Sequence, residues 1–268
     1  MTEIRIIGPR GSGKTTYLAS LAAFPHKELF PGLEIIPIGP DAENLAGMAE
    51  DILKQGARLP PTRKGQRAFY KFQIKLPSSE KIELVAVDYA GEIFEDIALA
   101  HKWDDVEKYV QDLFQVQGCM VMLTDWQPEQ DMRLYKPVFT KLWQEMSAEA
   151  KNQSAKIRLR IAVVMAKCER GEIWPGRLDA GEDLFKVRLP QTYQFLTSKF
   201  SPQTLKFFAC SSFGVLGDKN PRPNRYIPDD GTSFDNAYLF EASVWQPHGL
   251  IAPIYWLSTG RMLRDHRL

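Results

Sequence analysis

A chain of 268 residues with 44% hydrophobic residues can bury a sizeable core, which excludes global disorder. Its 34 Lys plus Arg are offset by 33 Asp plus Glu, so no basic field announces nucleic acid and no acidic tail is visible. The three cysteines, Cys119, Cys168 and Cys210, are widely spaced, form no CxxC pair that would suggest zinc, and read as buried thiols in a reducing cytosol.

The first element is a short apolar run, Ile4-Arg5-Ile6-Ile7, and it reads as a strand. Gly8-Pro9-Arg10-Gly11-Ser12-Gly13-Lys14-Thr15 follows, and Thr16 to Ala22 then opens a helix. Strand, glycine loop and helix in that order are the context a phosphate-binding loop requires. Gly8, Gly11 and Gly13 let the backbone turn so that successive N–H groups point at phosphate oxygens. The positive end of the helix adds to that field. Lys14 is expected to reach the β- and γ-phosphates, and the Thr15 hydroxyl to ligate Mg²⁺. The phosphate site on this reading comprises Gly8, Gly11, Ser12, Gly13, Lys14, Thr15 and Thr16, and the ligand is a nucleoside triphosphate. The loop also stands where a signal peptide would, and no apolar stretch reaches membrane-spanning length. A cytoplasmic protein without a membrane span is therefore expected.

Residues 33–38 read as a short strand that Pro37 restricts to a sheet edge. From Asp41, a cap after Pro40, the spacing of Leu45, Met48, Ile52 and Leu53 predicts a helix to about 57. A basic, proline-containing loop covers 58–65. Tyr70, Phe72, Ile74 and Leu76 alternate with polar residues, then a turn at 77–81 leads to a returning strand at 82–87. The two form an antiparallel hairpin. Further strands are predicted at 119–124, 159–165 and 205–209. Helices are predicted around Val106 to Phe114, Tyr135 to Met146, and 187–200, where Pro190 starts or interrupts the segment. Residues 214–247 form a long connection with many Pro, Gly and Asn residues, and a last helix covers 250–263. This alternation predicts an α/β fold: a mainly parallel sheet with one antiparallel hairpin strand and helices on both faces. One domain over 1–268 is expected, with a helical insert near 41–57 and the long loop near 214–247.

Val85-Ala86-Val87-Asp88-Tyr89-Ala90-Gly91-Glu92 carries the second site. An apolar strand ending in Asp commonly holds Mg²⁺ beside a phosphate loop, which makes Asp88 a metal ligand. Gly91, three residues on, can offer its N–H to the γ-phosphate and be released when that phosphate is lost.

With these motifs in place the chain resembles the Ras-like GTPases of the translation-factor-related class, and among them the bacterial double-GTPase type. Residues 8–15 match the first motif and 88–91 the second switch. Pro61-Thr62 looks like the first switch, whose threonine senses Mg²⁺ and the γ-phosphate. Ala166-Lys167-Cys168-Glu169 resembles the base-recognition motif, with Ala166 where asparagine is usual and Glu169 where aspartate is usual. Ser211-Ser212 is similar to the last motif, a strand end with a small polar pair. The resemblance implies a P-loop fold over about residues 2–212, GTP or GDP with Mg²⁺ as ligands, a slow GTPase acting as a molecular switch, and a protein effector or regulator. It assigns catalytic roles to Lys14, Thr62, Gly91, Glu92 and Arg10, base contacts to Lys167, Glu169, Ser211 and Ser212, and the metal to Thr15, Thr62 and Asp88.

Two departures bear on catalysis. Glu92 takes the place of the glutamine that orients water, and reads either as a water holder or as a solvated acid opening a helix. Arg10 replaces a glycine, and reads as an internal arginine finger, as an obstruction, or as a solvent-facing side chain. An ATPase or small-molecule kinase on the same loop, with an arginine-bearing lid in 222–225, is an alternative, as is a nucleotide-binding pseudo-GTPase. His26, His101, His248 and His266 are dispersed and show no ligand spacing.

Overall fold

The computed structural model describes residues 1–24, 30–55, 67–152, 159–217, 219, 221–227, 237–265 and 267–268. Among these residues seven strands form one sheet, in the order β2-β3-β4-β1-β5-β6-β7. They are β1 (Thr2–Ile7), β2 (Glu34–Ile38), β3 (Arg67–Lys75), β4 (Lys81–Tyr89), β5 (Gly118–Leu123), β6 (Arg160–Met165) and β7 (Leu205–Ala209). β1 runs parallel to β4 and β5, and β5–β6 and β6–β7 are parallel too. β3 is antiparallel to both its neighbours. The predicted α/β sheet and its antiparallel hairpin are therefore present. β2 is at the edge, where Pro37, which has no N–H to donate, breaks no second ladder.

Apolar residues on both faces of the central strands explain why the sheet is covered twice. One core lies under α1 (Lys14–Ala23), α2 (Pro40–Gln55) and α9 (Ala252–Thr259), and takes Ile4 and Ile6 from β1 and Met120 from β5. The other takes Val121 and Leu123 from β5 and lies under α3 (Gly91–Ile97), α4 (Trp103–Phe114) and α6 (Lys136–Asn152). On α4 the buried positions Val106, Tyr109, Val110 and Leu113 recur at helical spacing, and Asp104 and Asp105 occupy the positive N-terminal turn. Arg5 faces that helix from β1 and donates to Asp112 at 2.7 Å.

The structure corrects several local expectations. α2 starts at Pro40, so Asp41 lies inside the first turn and is not the cap. The start is closed by Gly39, whose carbonyl accepts from Glu43 N at 2.9 Å while its own N–H reaches the Glu43 carboxylate at 3.2 Å. Proline fits this first helical position because its missing N–H would have had no partner there. α8 (Pro190–Lys199) begins the same way, and buried Asp131 caps it from another element, accepting from Gln191 N at 2.8 Å and Thr192 N at 2.9 Å. Asp131 sits in a π-turn joining the short α5 (Pro128–Gln130) to α6. Between β6 and α8 the chain passes through 3₁₀ turns at Gly171–Asp179, a π segment at Ala180–Phe185 and the short α7 (Lys186–Arg188). The last helix stops at Thr259, shorter than its apolar pattern, because Gly260 turns left-handed (φ 74°) and returns its N–H to Trp256.

The long connection after β7 is not shapeless. Ser211 bridges His248, Gly214 bridges Gln246, and Val215 bridges Pro223. β8 (Arg225–Tyr226) and β9 (Tyr238–Leu239) form a small antiparallel ladder. Leu239 and Trp245 pack with Phe213 and with Leu53 of α2 in a small third core.

Candidate nucleotide site

β1 delivers the glycine loop at the carboxyl ends of the parallel strands, where ligands of open α/β sheets bind. Gly8 has φ 154°, and a Cβ there would lie 2.2 Å from the Met122 carbonyl oxygen of β5. Only glycine lets the loop leave the sheet so closely. Ser12 N–H closes the turn on the Pro9 carbonyl at 3.2 Å. Gly13, at φ 88°, opens α1, and no side chain caps that helix. Its first N–H groups therefore face the loop as an anion site. Gly11 is left-handed as well, and Thr16 sits in the first turn of α1 with its carbonyl accepting from Ser20 Oγ.

Lys14 is 8% exposed and lies back across the loop, donating to the Gly8 and Pro9 carbonyls at 3.0 and 3.3 Å. Burial pulls its ammonium below the usual lysine range, opposed by the carboxylates of Asp88 and Glu95. Thr15 Oγ1 donates to Asp88 Oδ2 at 3.0 Å. Asp88 is 1% exposed at the end of β4, level with Ile6 of β1. The two residues assigned to the metal from the sequence are thus side by side. Thr62, the third, lies outside the described residues, as do 58–66 of the first-switch region.

Gly91 presses against the loop. A Cβ on it would meet Arg10 N at 2.5 Å and Arg10 Cα at 2.7 Å. Across this contact the Arg10 guanidinium reaches Glu92 Oε1 at 2.7 Å and Glu95 at 3.7 Å, and Arg10 N donates to Glu95 at 2.9 Å. Arg10 and Glu92, each left open by the sequence, are paired with one another. Glu95 was not foreseen, although it is one turn along the helix from Glu92 on the same face.

The candidate base-recognition residues converge from two strand ends. Lys167 holds a left-handed φ of 57°, and its Cε lies 3.7 Å from where a Cβ on Gly13 would be, so its stem runs over the phosphate loop. Glu169 is fully buried. Burial pushes its carboxyl above the usual range, and the Ser211 hydroxyl, Arg225 and Lys167 offset part of that. Ser211 exchanges two backbone hydrogen bonds with His248, both at 2.9 Å, and its Oγ accepts from Gly214 N at 2.7 Å. The Ser212 carbonyl accepts from Trp245 Nε1 at 2.8 Å. The unforeseen member of this group is Arg225 of β8, whose Nη1 stands 3.9 Å from Glu169 Oε1. The sequence marked the 222–225 stretch only as an arginine-bearing lid under the kinase alternative.

The three thiols are buried, as expected, and free, and burial pushes Cys119 up to about 12. No group of three or more His, Cys, Asp or Glu residues that would hold a metal occurs among the described residues. No helix among the described residues is long and apolar enough to cross a membrane.

Among solved structures, similarity extends to the signal recognition particle receptor SRb-GTP/SRX complex from Chaetomium thermophilum, at 12% identity and a TM-score of 0.43, covering 80% of this chain and 92% of that one. It extends also to the S. cerevisiae Ski7 GTPase-like domain bound to GDP and inorganic phosphate, at 13% identity and a TM-score of 0.39, covering 87% of this chain. This chain spans about half the length of the Ski7 chain, 47% of it. These likenesses are too distant to carry more than a resemblance. No curated protein matches the sequence. A model of the family Double-GTPase 1, in contrast, matches residues 5–169, more than half of the chain. The matched segment runs from β1 through the phosphate loop and the Asp88–Gly91 turn to Glu169. The chain belongs to the Double-GTPase 1 family.

Proposed function

We propose that this protein is a molecular switch that binds GTP with Mg²⁺, hydrolyses it slowly, and signals its nucleotide state to a protein effector. Membership of a GTPase family supports guanine nucleotide binding. The observation that carries the reading is the meeting of Thr15 Oγ1 and Asp88 Oδ2 at 3.0 Å beneath a glycine loop spanned by Lys14. Two hard oxygen donors side by side next to a phosphate cradle suit Mg²⁺. When bound, the ion would neutralise charge on the β- and γ-phosphates. Lys14 would exchange the loop carbonyls for phosphate oxygens, Lys167 would lie along the base, and Glu169 would accept from guanine N1–H and its amino group. Adenine lacks that pair of donors. Gly91 would sense the γ-phosphate, a role that its close packing against Arg10 of the loop supports.

Effector contact is assigned to 58–68 and to 92–103. Of the first, residues 58–66 lie outside the described residues; in the second, Leu99 is 42% exposed. One observation favours a pseudo-GTPase as the second reading: Glu92, the candidate water holder, is engaged by Arg10 at 2.7 Å. A single experiment separates the readings. Nucleotide retained through purification is identified by mass, and turnover of GTP is compared with that of ATP. GDP on the protein with measurable GTP turnover supports the switch. GTP retained without turnover supports the pseudo-GTPase, and preferential ATP turnover overturns both.

A further inference from the structure

Among the described residues, Glu169 is the least accessible charged group of the site. It is 0% exposed, and neither carboxylate oxygen has a well-formed hydrogen bond; the Ser211 hydroxyl approaches without good geometry. A base edge has no route to it in this arrangement. What faces it is the guanidinium of Arg225, 3.9 Å away and itself mostly buried. Arg225 does not arrive there by chance of rotamer. Asn224 beside it is fully buried and held three ways: its N–H donates to the Gly214 carbonyl at 3.0 Å, its Nδ2 to the Glu241 carbonyl at 2.9 Å, and its Oδ1 accepts from Glu241 N at 2.8 Å. β8 then pairs with β9, and Trp245 and His248 tie the same excursion to Ser212 and Ser211. The described residues of the excursion thus form a small folded unit that presents one guanidinium to one buried carboxylate.

The chemistry of the two occupants is the same. The N1–H and amino group of guanine form a guanidine-like pair of donors, and a carboxylate accepts both in parallel, as it does from arginine. One carboxylate inside a closed pocket cannot serve both. We infer that Arg225 is an internal stand-in for guanine: it fills the base-reading position of Glu169 in the free protein, and guanine nucleotide must displace it. Displacement loosens the β8–β9 unit, so the excursion becomes a surface that reports occupancy of the base site, separate from the γ-phosphate signal at Gly91. The inference rests on the guanine-binding reading above. It also sets a cost on binding, because the competent state is only the fraction with Arg225 withdrawn.

The test uses the full chain, with Mg²⁺ and GDP as the probe and ADP as the control. In Arg225→Gln, which cannot form the charged pair, GDP association should be several-fold faster and binding several-fold tighter. In the parent, hydrogen exchange at the amides of 224–226 and 239–241 should speed up on GDP binding and stay slow with ADP. The exchange measurement needs no variant, so it stands even where Arg225→Gln folds poorly. Weaker or unchanged GDP binding by a folded Arg225→Gln overturns the inference, as does unchanged or increased protection of those amides in the GDP-bound parent. Failure of the parent to bind either GDP or GTP overturns the guanine-binding reading itself, which is a separate outcome.

Discussion

Lys14 is held by the loop it is assigned to serve, through two carbonyls of that loop. Lys14→Ala is therefore expected to abolish triphosphate binding while the fold survives, since the side chain packs on a loop and not within either face of the sheet; calorimetric affinity equal to the parent's would refute the assignment. Gly91 is constrained differently. A Cβ there meets backbone atoms of Arg10, which cannot swing away as a side-chain end would. Gly91→Ala should push the second switch off the loop and destabilise the protein by about 1–3 kcal/mol, the range for forced overpacking. Its affinity for GTP should fall towards that for GDP, and an undiminished ratio of the two would show that Gly91 does not sense the γ-phosphate. Glu169→Ala should remove the preference for GTP over ATP, a margin of roughly 1–3 kcal/mol for a lost pair of hydrogen bonds in a buried site. A preference that survives would place base selection elsewhere. The phosphate, metal and base candidates were legible as residue types at fixed spacing. Arg225 was not, because its partner lies far away in sequence and no local pattern records a pairing of that separation.

At the scale of elements, most strands were readable as apolar runs bounded by turn residues, β3 by its alternation of apolar and polar residues, and β2 because a proline in such a run fits only an edge. The stretch from Gly171 to Phe185 was not readable. It contains Gly171, Pro175, Gly176 and Gly181, and its 3₁₀ and π turns lack the 3.6-residue period by which helices are recognised. The boundary between α3 and the phosphate loop belongs to this scale as well. It has a backbone contact at Gly91 and a charged latch from Arg10 to Glu92 and Glu95. The latch side chains are 65%, 39% and 36% exposed, so solvent screens them and the pairs contribute under about 1 kcal/mol to stability. Arg10→Ala should therefore leave the thermal midpoint nearly unchanged yet speed hydrogen exchange across 91–97 in the nucleotide-free protein. Unaltered exchange would mean that the backbone packing at Gly91 alone holds α3 in place.

Over the whole molecule, the parallel strands set the site more than any loop does. β1, β4, β6 and β7 end on one side of the sheet, and each contributes there: the phosphate loop, Asp88, Lys167 with Glu169, and Ser211 with Ser212. That convergence follows from strand order, which an alternation of apolar runs and helical segments restricts but does not specify. The excursion after β7 leaves from this same side. Its apolar anchors, Leu239 and Trp245, pack on Phe213 and Leu53, and Trp245 also meets Phe24 at the rim of one large core. Replacing 217–231 by a short linker should preserve folding, because neither large core has a residue there, and should lower stability only by what the β8–β9 ladder and the Asn224 hydrogen bonds contribute. The same replacement removes Arg225 from above Glu169. A guanine nucleotide should then associate faster, and its dissociation rate should change because the base edge is left less enclosed. Stopped-flow rates with a fluorescent GDP analogue measure both. A folded replacement variant with parental association and dissociation rates would mean that the excursion does not cover the base, and that its packing beside Ser211 and Ser212 only pads the sheet end.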